Sequence, residues 1–167
     1  MFSFFSVRRV LVLFCLLVVL LFTGCPEESK PGGLHGTWVS SHGDTYKINT
    51  NNNTIEYQGG FTGKIVNSPN YDAVSGVFII EITSYLQSQY DDEWNFIGTV
   101  EVPANIGKFV GVYWRNQTAE TVQMGNAWLE VSGTWVHIMY DTLAAAQTNF
   151  TQDRVGVYMS SWGTYTK

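Results

Sequence analysis

The stretch YKINTNNNTIEYQGGFTGKI, residues 46–65, shows the pattern that decides the fold. Apolar and polar residues alternate, as in half-buried strands, in three short runs at residues 46–49, 54–57 and 61–65. Three asparagines at 51–53 and the glycine pair at 59–60 separate the runs, and both residue types favour tight turns. The stretch therefore predicts an antiparallel meander of three strands.

Strand-like runs continue along the chain, at residues 77–82, 108–115, 120–124, 127–131 and 134–140. One segment has helical spacing instead, because Leu143, Ala146 and Phe150 share a helix face. A last strand is predicted over residues 154–159. About eight antiparallel strands, with one short helix before the last, predict an all-β meander that closes into a small barrel, since closure removes exposed strand edges. A two-sheet β-sandwich is the alternative that periodicity leaves open.

The amino-terminal residues read as an export signal that ends at a cysteine. Arg8 and Arg9 precede an unbroken apolar run at residues 10–22, and Thr23-Gly24-Cys25 supplies small residues at a processing site. Thirteen apolar residues make a helix of about 20 Å, too short for a hydrocarbon core of about 30 Å. An ordinary cleaved signal and an uncleaved anchor are the alternatives to lipid attachment.

The segment Phe22-Thr23-Gly24-Cys25 resembles the bacterial lipobox, with Phe22 in the place where Leu is commonest. The resemblance implies a diacylglyceryl thioether on Cys25 and cleavage just before it. Two or more acyl chains hold a protein stably on a bilayer, whereas one chain gives only marginal binding. We therefore expect a membrane partner through the lipid on Cys25, and a location in the cell envelope outside the cytoplasm, in either the inner or the outer leaflet.

Three regions follow from this interpretation: a lipoprotein signal peptide at 1–24, a lipidated cysteine with a Pro- and Gly-rich tether at 25–33, and a barrel domain at 34–167. Removal of the signal leaves seven basic residues against fourteen acidic ones, a net charge of −7. Such a balance argues against a nucleic-acid partner. No cysteine remains for a disulfide or a metal site once Cys25 carries lipid.

The first predicted strand opens with Gly36-Thr37-Trp38, which resembles the Gly-X-Trp signature at the start of lipocalin barrels. The resemblance implies that Trp38 closes one end of the barrel beneath an arginine, for which Arg115 and Arg154 are the candidates. A second match at residues 133–135 shows that three letters are a short motif. A strand-end glycine followed by a core tryptophan is the alternative interpretation.

A longer resemblance covers most of the chain. The segments GTWVSSHGDTYKI at 36–48, GKFVGVYWRNQTAETVQMGNAW at 107–128 and TLAAAQTNFTQDRVGVYMSSWGTYTK at 142–167 are similar to treponemal (spirochaete) lipoproteins of lipocalin-like type. The resemblance implies a calycin-like barrel at the cell envelope and no assigned activity. The chain departs from that family around residues 127–140, where an apolar segment replaces a polar one.

Candidate ligand-binding residues are the aromatic ones near a predicted long loop at residues 83–106, in which the strand rhythm breaks. A loop rich in aromatic residues can act as a lid over a barrel mouth, and the alternative is that its rings pack inward while its acids face water. The candidates are Tyr85, Tyr90, Trp94 and Phe96, close to the acidic run at 91–93, together with Trp114 from the predicted strand at 108–115.

No motif for a nucleophile, a metal site or a nucleotide loop is present in the sequence, so we expect no enzyme activity, no catalytic residues, no metal and no cofactor. The three histidines at 35, 42 and 137 have no metal-ligand spacing. The expected function is a non-catalytic barrel that binds a small apolar ligand or a host or envelope protein. A structural or adhesive surface protein without a pocket is the alternative, and a hydrolase acting through Asp91 or Glu93 is the least supported.

Overall fold

The computed structural model describes residues 33–93, 95–159 and 161–167, and the fold is mostly β with 13% helix. The predicted signal peptide, Cys25 and most of the tether lie outside the described residues. The twelve strands are β1 (Gly36–Ser40), β2 (Thr45–Asn49), β3 (Thr54–Tyr57), β4 (Phe61–Ile65), β5 (Gly76–Tyr90), β6 (Phe96–Glu101), β7 (Phe109–Arg115), β8 (Thr121–Asn126), β9 (Trp128–Val131), β10 (Thr134–His137), β11 (Met139–Tyr140) and β12 (Gly163–Thr166). The helices are α1 (Leu143–Asn149) and α2 (Val155–Tyr158), and 3-10 turns lie at Pro103–Asn105 and Gln152–Arg154.

Eight of these strands close into an antiparallel barrel, in the order β1-β2-β3-β4-β5-β7-β8-β12 and back to β1. The β5–β7 pairing closes one side, where Phe78 faces Val112, and the β1–β12 pairing closes the other, where Val39 faces Thr166. Every pairing is antiparallel. The closed ring confirms the predicted barrel, with a short helix before the last strand, over the two-sheet sandwich.

Alternating side chains of the barrel strands fill its interior. Trp38, Phe78 and Ile80 are fully buried there. Their neighbours in sequence point outward, and on β5 and β7 this outer face is largely apolar too. Helix α1 covers it, so that Phe150 packs with Ile79 and other residues in a second buried cluster. The barrel wall therefore carries apolar residues on both faces where the helix lies.

A crossover segment, residues 66–75, lies across one end of the barrel. The carbonyl oxygen of Tyr71 accepts hydrogen bonds from the backbone N–H of Leu34 and from the side-chain amide of Gln117, both at 3.2 Å. The Tyr71 hydroxyl donates to Asn53 Oδ1 at 2.7 Å. These bonds tie the crossover to three different parts of this end, which we call the closed end.

Trp38 is fully buried in the interior, and its indole Nε1 donates to the carbonyl oxygen of Leu34 at 2.9 Å. The cation beside its ring is Lys167, with Nζ 4.9 Å from the ring centroid. Arg115 instead lies over Trp162, and Arg154 lies over the ring of Tyr158. The expectation that an arginine covers Trp38 was wrong, because both guanidinium groups stack on rings from the last part of the chain.

Two hairpins project from the opposite end, which we call the mouth. The upper part of β5 pairs with β6, from Leu86 opposite Glu101 to Tyr90 opposite Phe96, and β9 pairs with β10. Because β5 and β8 both run antiparallel to β7, their carboxyl ends lie at the same end of the barrel. The predicted long loop at 83–106 is therefore mostly a hairpin, and the prediction of a loop was wrong.

The predicted last strand at 154–159 was also placed wrongly, because this segment is helical and the last strand is β12. Strand alternation would put Val155 and Val157 on one buried face, but Val157 is 50% exposed. Helical spacing instead turns Val155, Tyr158 and Met159 toward the cluster under α1. A helix thus buries more apolar side chains of this segment than a strand would.

Candidate functional site: a cleft at the barrel mouth

A cleft of about 910 Å³ lies between the two hairpins at the mouth. Its walls come from the β3–β4 turn, the upper part of β5, the start of β7, and β9 to β11. Seven ring-bearing side chains line it, namely Tyr57, Phe61, Tyr85, Tyr90, Trp128, Trp135 and His137. Ligand sites in proteins usually have volumes of roughly 300–1,000 Å³, so the cleft can hold a small molecule.

His137, at the end of β10, joins the two hairpins. Its imidazole stacks on the ring of Trp128 with centroids 4.8 Å apart and planes 21° apart. The rings of Phe61 and Tyr85 lie 6.1 Å and 6.2 Å from it. The Tyr85 hydroxyl lies 3.4 Å from His137 Nδ1, a long hydrogen bond between β5 and β10. These contacts hold the β9–β10 hairpin against the barrel rim.

The imidazole of His137 is enclosed by these rings. Its Nε2 atom is buried and has no hydrogen-bond partner within the described residues. Burial lowers the pKa of His137 from 6.5 to about 4, because desolvation penalises the charged form. The imidazole is therefore uncharged at neutral pH, and a hydrogen-bonding nitrogen remains unused inside the site.

Three packed tyrosines lie beside the cleft toward β2 and β12, and Tyr57 is the member of this cluster that lines it. Tyr46 is buried and stacks on Tyr57 with centroids 4.7 Å apart, and Tyr165 packs against Tyr46 edge-on at 5.1 Å. The Tyr46 hydroxyl donates to Asn126 Oδ1 at 2.7 Å. Burial raises the pKa of Tyr46 well above 10, with the neighbouring phenols and an acid adding to the effect, so the phenol stays neutral. The cluster therefore packs behind Tyr57, and it holds the lining amide of Asn126 through the Tyr46 hydroxyl.

Polar side chains complete the lining. The side-chain amides of Gln58, Gln87 and Asn105 have no hydrogen-bond partner within the part of the chain that the structure describes. Two oppositely charged residues line the cleft, Asp44 and Lys108, and Lys108 Nζ lies 3.8 Å from an exposed aspartate oxygen outside it. The cleft is therefore aromatic and polar at once.

Both hairpins carry many exposed apolar side chains, some of them in the cleft lining. Among the described residues, thirteen large apolar side chains are exposed, and nine of them belong to the hairpins: Leu86, Tyr90, Phe96, Ile97, Val100, Trp128, Val131, Trp135 and Val136. The tip of the β5–β6 hairpin is acidic. Asp91 accepts hydrogen bonds from the backbone and side chain of Asn95, which lower the pKa of its carboxyl group.

The structure brings two of the predicted ligand-binding residues together in the cleft, Tyr85 and Tyr90. Phe96 lies outside the lining and packs edge-on against Tyr90, with centroids 6.0 Å apart. Phe96 is 60% exposed, so it does not pack inward as the alternative interpretation supposed. Trp94 lies outside the described residues.

Trp114 was assigned to the site wrongly. It is buried inside the barrel near the closed end, where it pairs with Gly76 at the start of β5. Its ring stacks on Phe78 at 4.4 Å, and its Nε1 donates to the carbonyl oxygen of Ala73 at 3.2 Å. The side chain is a core residue at the opposite end from the cleft.

Sequence reasoning missed most of the β9–β10 contribution, namely Trp128, Trp135 and His137. One signal could have found it. Two tryptophans lie on either side of the Ser132-Gly133 turn, in the segment that departs from the treponemal pattern. In a hairpin with that turn, Trp128 and Trp135 fall on the same face.

The fold and the site define the chain as an eight-stranded antiparallel barrel with an aromatic cleft at its mouth. No protein-family model, curated protein or solved structure matches it. Within the described ranges, no helix has the length and apolar character needed to cross a membrane. The same residues contain no group of three potential metal ligands close enough to share an ion.

Proposed function

We propose that the protein is a lipid-anchored lipoprotein of the bacterial cell envelope, and that its non-catalytic barrel binds a small ligand in the mouth cleft. The observation that carries the proposal is the cleft itself, about 910 Å³ in volume and lined by seven aromatic rings. Aromatic walls with a few polar groups are typical of small-molecule sites. The imidazole of His137 is uncharged at neutral pH, and burial raises the pKa of the lining phenols of Tyr57 and Tyr85, so these groups suit binding rather than proton transfer.

The position of the tether supports this arrangement. The described region begins at Gly33, and the next residue, Leu34, is bonded to the crossover segment at the closed end. A lipid on Cys25 would be joined to it by residues 26–33, and eight residues reach at most about 28 Å. The closed end then faces the bilayer and the cleft faces away from it. A ligand arriving from outside the cytoplasm meets the mouth first.

Native mass spectrometry of the protein purified from its own envelope tests ligand binding. We expect a bound small molecule on the wild-type chain and on Val74→Ala, which removes an exposed side chain near the closed end. We expect its loss from Trp128→Ala, because the stack under His137 is then removed. Absence of any adduct, together with no saturation transfer from p-cresol or benzyl alcohol in solution, would contradict the proposal.

Replacing Cys25 by Ala tests the anchor. The wild-type chain should enter the detergent-rich phase on Triton X-114 partition, and Cys25→Ala should enter the aqueous phase, because the acyl chains supply the membrane affinity. Cys15→Ala is the matched control, since this cysteine lies within the apolar run of the predicted signal. Retention of Cys25→Ala in the detergent phase would show that another feature holds the protein.

A second candidate function is adhesion to another protein through the hairpins. The concentration of exposed apolar side chains on them favours it, since patches of this kind mark contact surfaces. A photo-crosslinking amino acid at Ile97, which is 62% exposed, should yield protein adducts in intact cells, and one at Val74 should not. Equal yields at both positions would argue against a specific contact at the hairpins.

A further inference from the structure

We propose that the ligand of the mouth cleft is a neutral saccharide, with a sugar ring seated on the tryptophans of the β9–β10 hairpin. The inference rests on the proposed function and names the chemical class that its site selects. Three properties of the cleft support it: exposed indoles on one face, amides without partners, and an acidic surround.

The indoles form the platform. Trp128 is 38% exposed and Trp135 is 47% exposed, and both line the cleft. In the β9–β10 ladder Trp128 faces His137 and Trp135 faces Glu130, so the two indoles lie on the same side of the hairpin. His137 packs flat on Trp128 and so fixes the plane of that ring. The apolar C–H face of a pyranose packs on aromatic faces of this kind through dispersion and weak C–H contacts.

The amides supply the polar contacts. Gln58, Gln87 and Asn105 each present a donor and an acceptor to the cleft, without partners within the described residues. A sugar hydroxyl is also donor and acceptor, so it can pair with either end of an amide. A purely apolar ligand would displace water from these groups without replacing its hydrogen bonds, which costs free energy. The lining thus favours a ligand with one apolar face and a polar edge.

The charge around the cleft disfavours anionic ligands, although the five acidic residues of the hairpins lie outside its lining. Residues 85–101 and 128–137, which make up the two hairpins, contain five acidic residues and no lysine or arginine. Asp44 adds a carboxylate to the lining, and the cation Lys108 lies 3.8 Å from the carboxylate of Asp141. Carboxylates and phosphates on a ligand would meet like charge, which disfavours fatty acids, uronic acids and nucleotides. A neutral sugar meets no such penalty.

Isothermal titration calorimetry on the full chain in a zwitterionic detergent tests the inference. The probes are neutral oligosaccharides of glucose, galactose, mannose and N-acetylhexosamine in both anomeric linkages, with tetragalacturonate as the anionic comparison and p-cresol as an aromatic one. We expect a neutral oligosaccharide to bind, and tetragalacturonate to bind at least tenfold more weakly. Trp135→Ala should weaken binding about fivefold, and Trp135→Phe should recover part of the loss.

Phe96→Ala is the matched control, because Phe96 is an exposed aromatic residue on the other hairpin and outside the cleft lining. It should leave saccharide affinity unchanged. Binding of p-cresol without binding of any saccharide would overturn the inference and leave the proposed function standing, whereas failure of every probe would count against both. Equal affinity for tetragalacturonate would refute the charge argument, and full affinity in Trp135→Ala would refute the platform.

Discussion

The enclosed imidazole of His137 makes the stability of the protein depend on pH. Its pKa is lowered to about 4 in the folded state by burial, and it returns to 6.5 when the chain unfolds. The folded state therefore binds fewer protons than the unfolded state between these values. The stability contributed by the neutral imidazole is complete above pH 6.5 and is lost as the pH falls toward 4.

The size of the effect follows from the shift. One pKa unit corresponds to about 1.4 kcal/mol, so the free energy of unfolding should fall by about 2 kcal/mol between pH 7 and pH 5, and by about 3 kcal/mol by pH 4. Desolvation is the cause of the shift, and among the described residues no carboxylate pairs with the ring to offset it. Urea titrations followed by tryptophan fluorescence at each pH measure the loss.

His137→Phe is the control, because a phenyl ring fills the same space between Trp128 and Phe61 without titrating. The free energy of unfolding of the variant should change less than that of the wild type between pH 7 and pH 4. The difference between the two stability curves then gives the contribution of His137 apart from that of the carboxylates. Side-chain NMR titration of His137 gives its pKa directly. Parallel stability curves for the two proteins, or a pKa near 6.5, would refute the reasoning.

Three further predictions concern the barrel and its helix. Trp38→Ala should lower the free energy of unfolding by about 3–5 kcal/mol in urea titrations, because it removes a fully buried ring and its bond to Leu34; a loss below about 1 kcal/mol would contradict its place in the core. Gly111→Ala should cost about 1–3 kcal/mol, because the new Cβ would lie 2.7 Å from the buried Phe150 ring; an unchanged midpoint would show that α1 moves freely. Thr142→Ala should lower the free energy of unfolding by about 1 kcal/mol, because the Thr142 side chain caps α1. Thr142→Ser keeps a capping hydroxyl and should retain the wild-type stability. Circular dichroism during thermal unfolding checks the last pair.

The barrel was predictable because each strand of its first meander has one face in the interior and the other in water. Ile48 and Ile55 face the interior while Lys47 and Glu56 face water, where they form an ion pair at 3.0 Å. Alternation of this kind reports both the strand and its inner face. Strand β7 does not show this alternation, because α1 covers its outer face and Tyr113 is as buried as Trp114. Periodicity cannot tell an interior tryptophan from a site residue on such a strand.

The β5–β6 hairpin was hidden for the opposite reason, whereas the strands of the β9–β10 hairpin were predicted. Along β6 nearly every side chain is exposed, so no alternation marks the strand. The site also depends on a contact between Tyr85 and His137, which are 52 residues apart. Their meeting follows from the shared end of β5 and β8, and that end is known only once the order of the strands is known. Local patterns therefore revealed the aromatic residues of the first hairpin without revealing the wall they face.

Strand β5 is fifteen residues long, and its first part belongs to the barrel while its last part forms one arm of the hairpin. Within the barrel it is bonded on both sides, to β4 and to β7. Hydrogen bonds between antiparallel strands lie perpendicular to the strand axis, so tension applied along the arm loads both ladders in shear, with many bonds sharing the force. A force applied by a molecule bound to this arm is therefore transmitted to the whole barrel, rather than unfolding a loop alone.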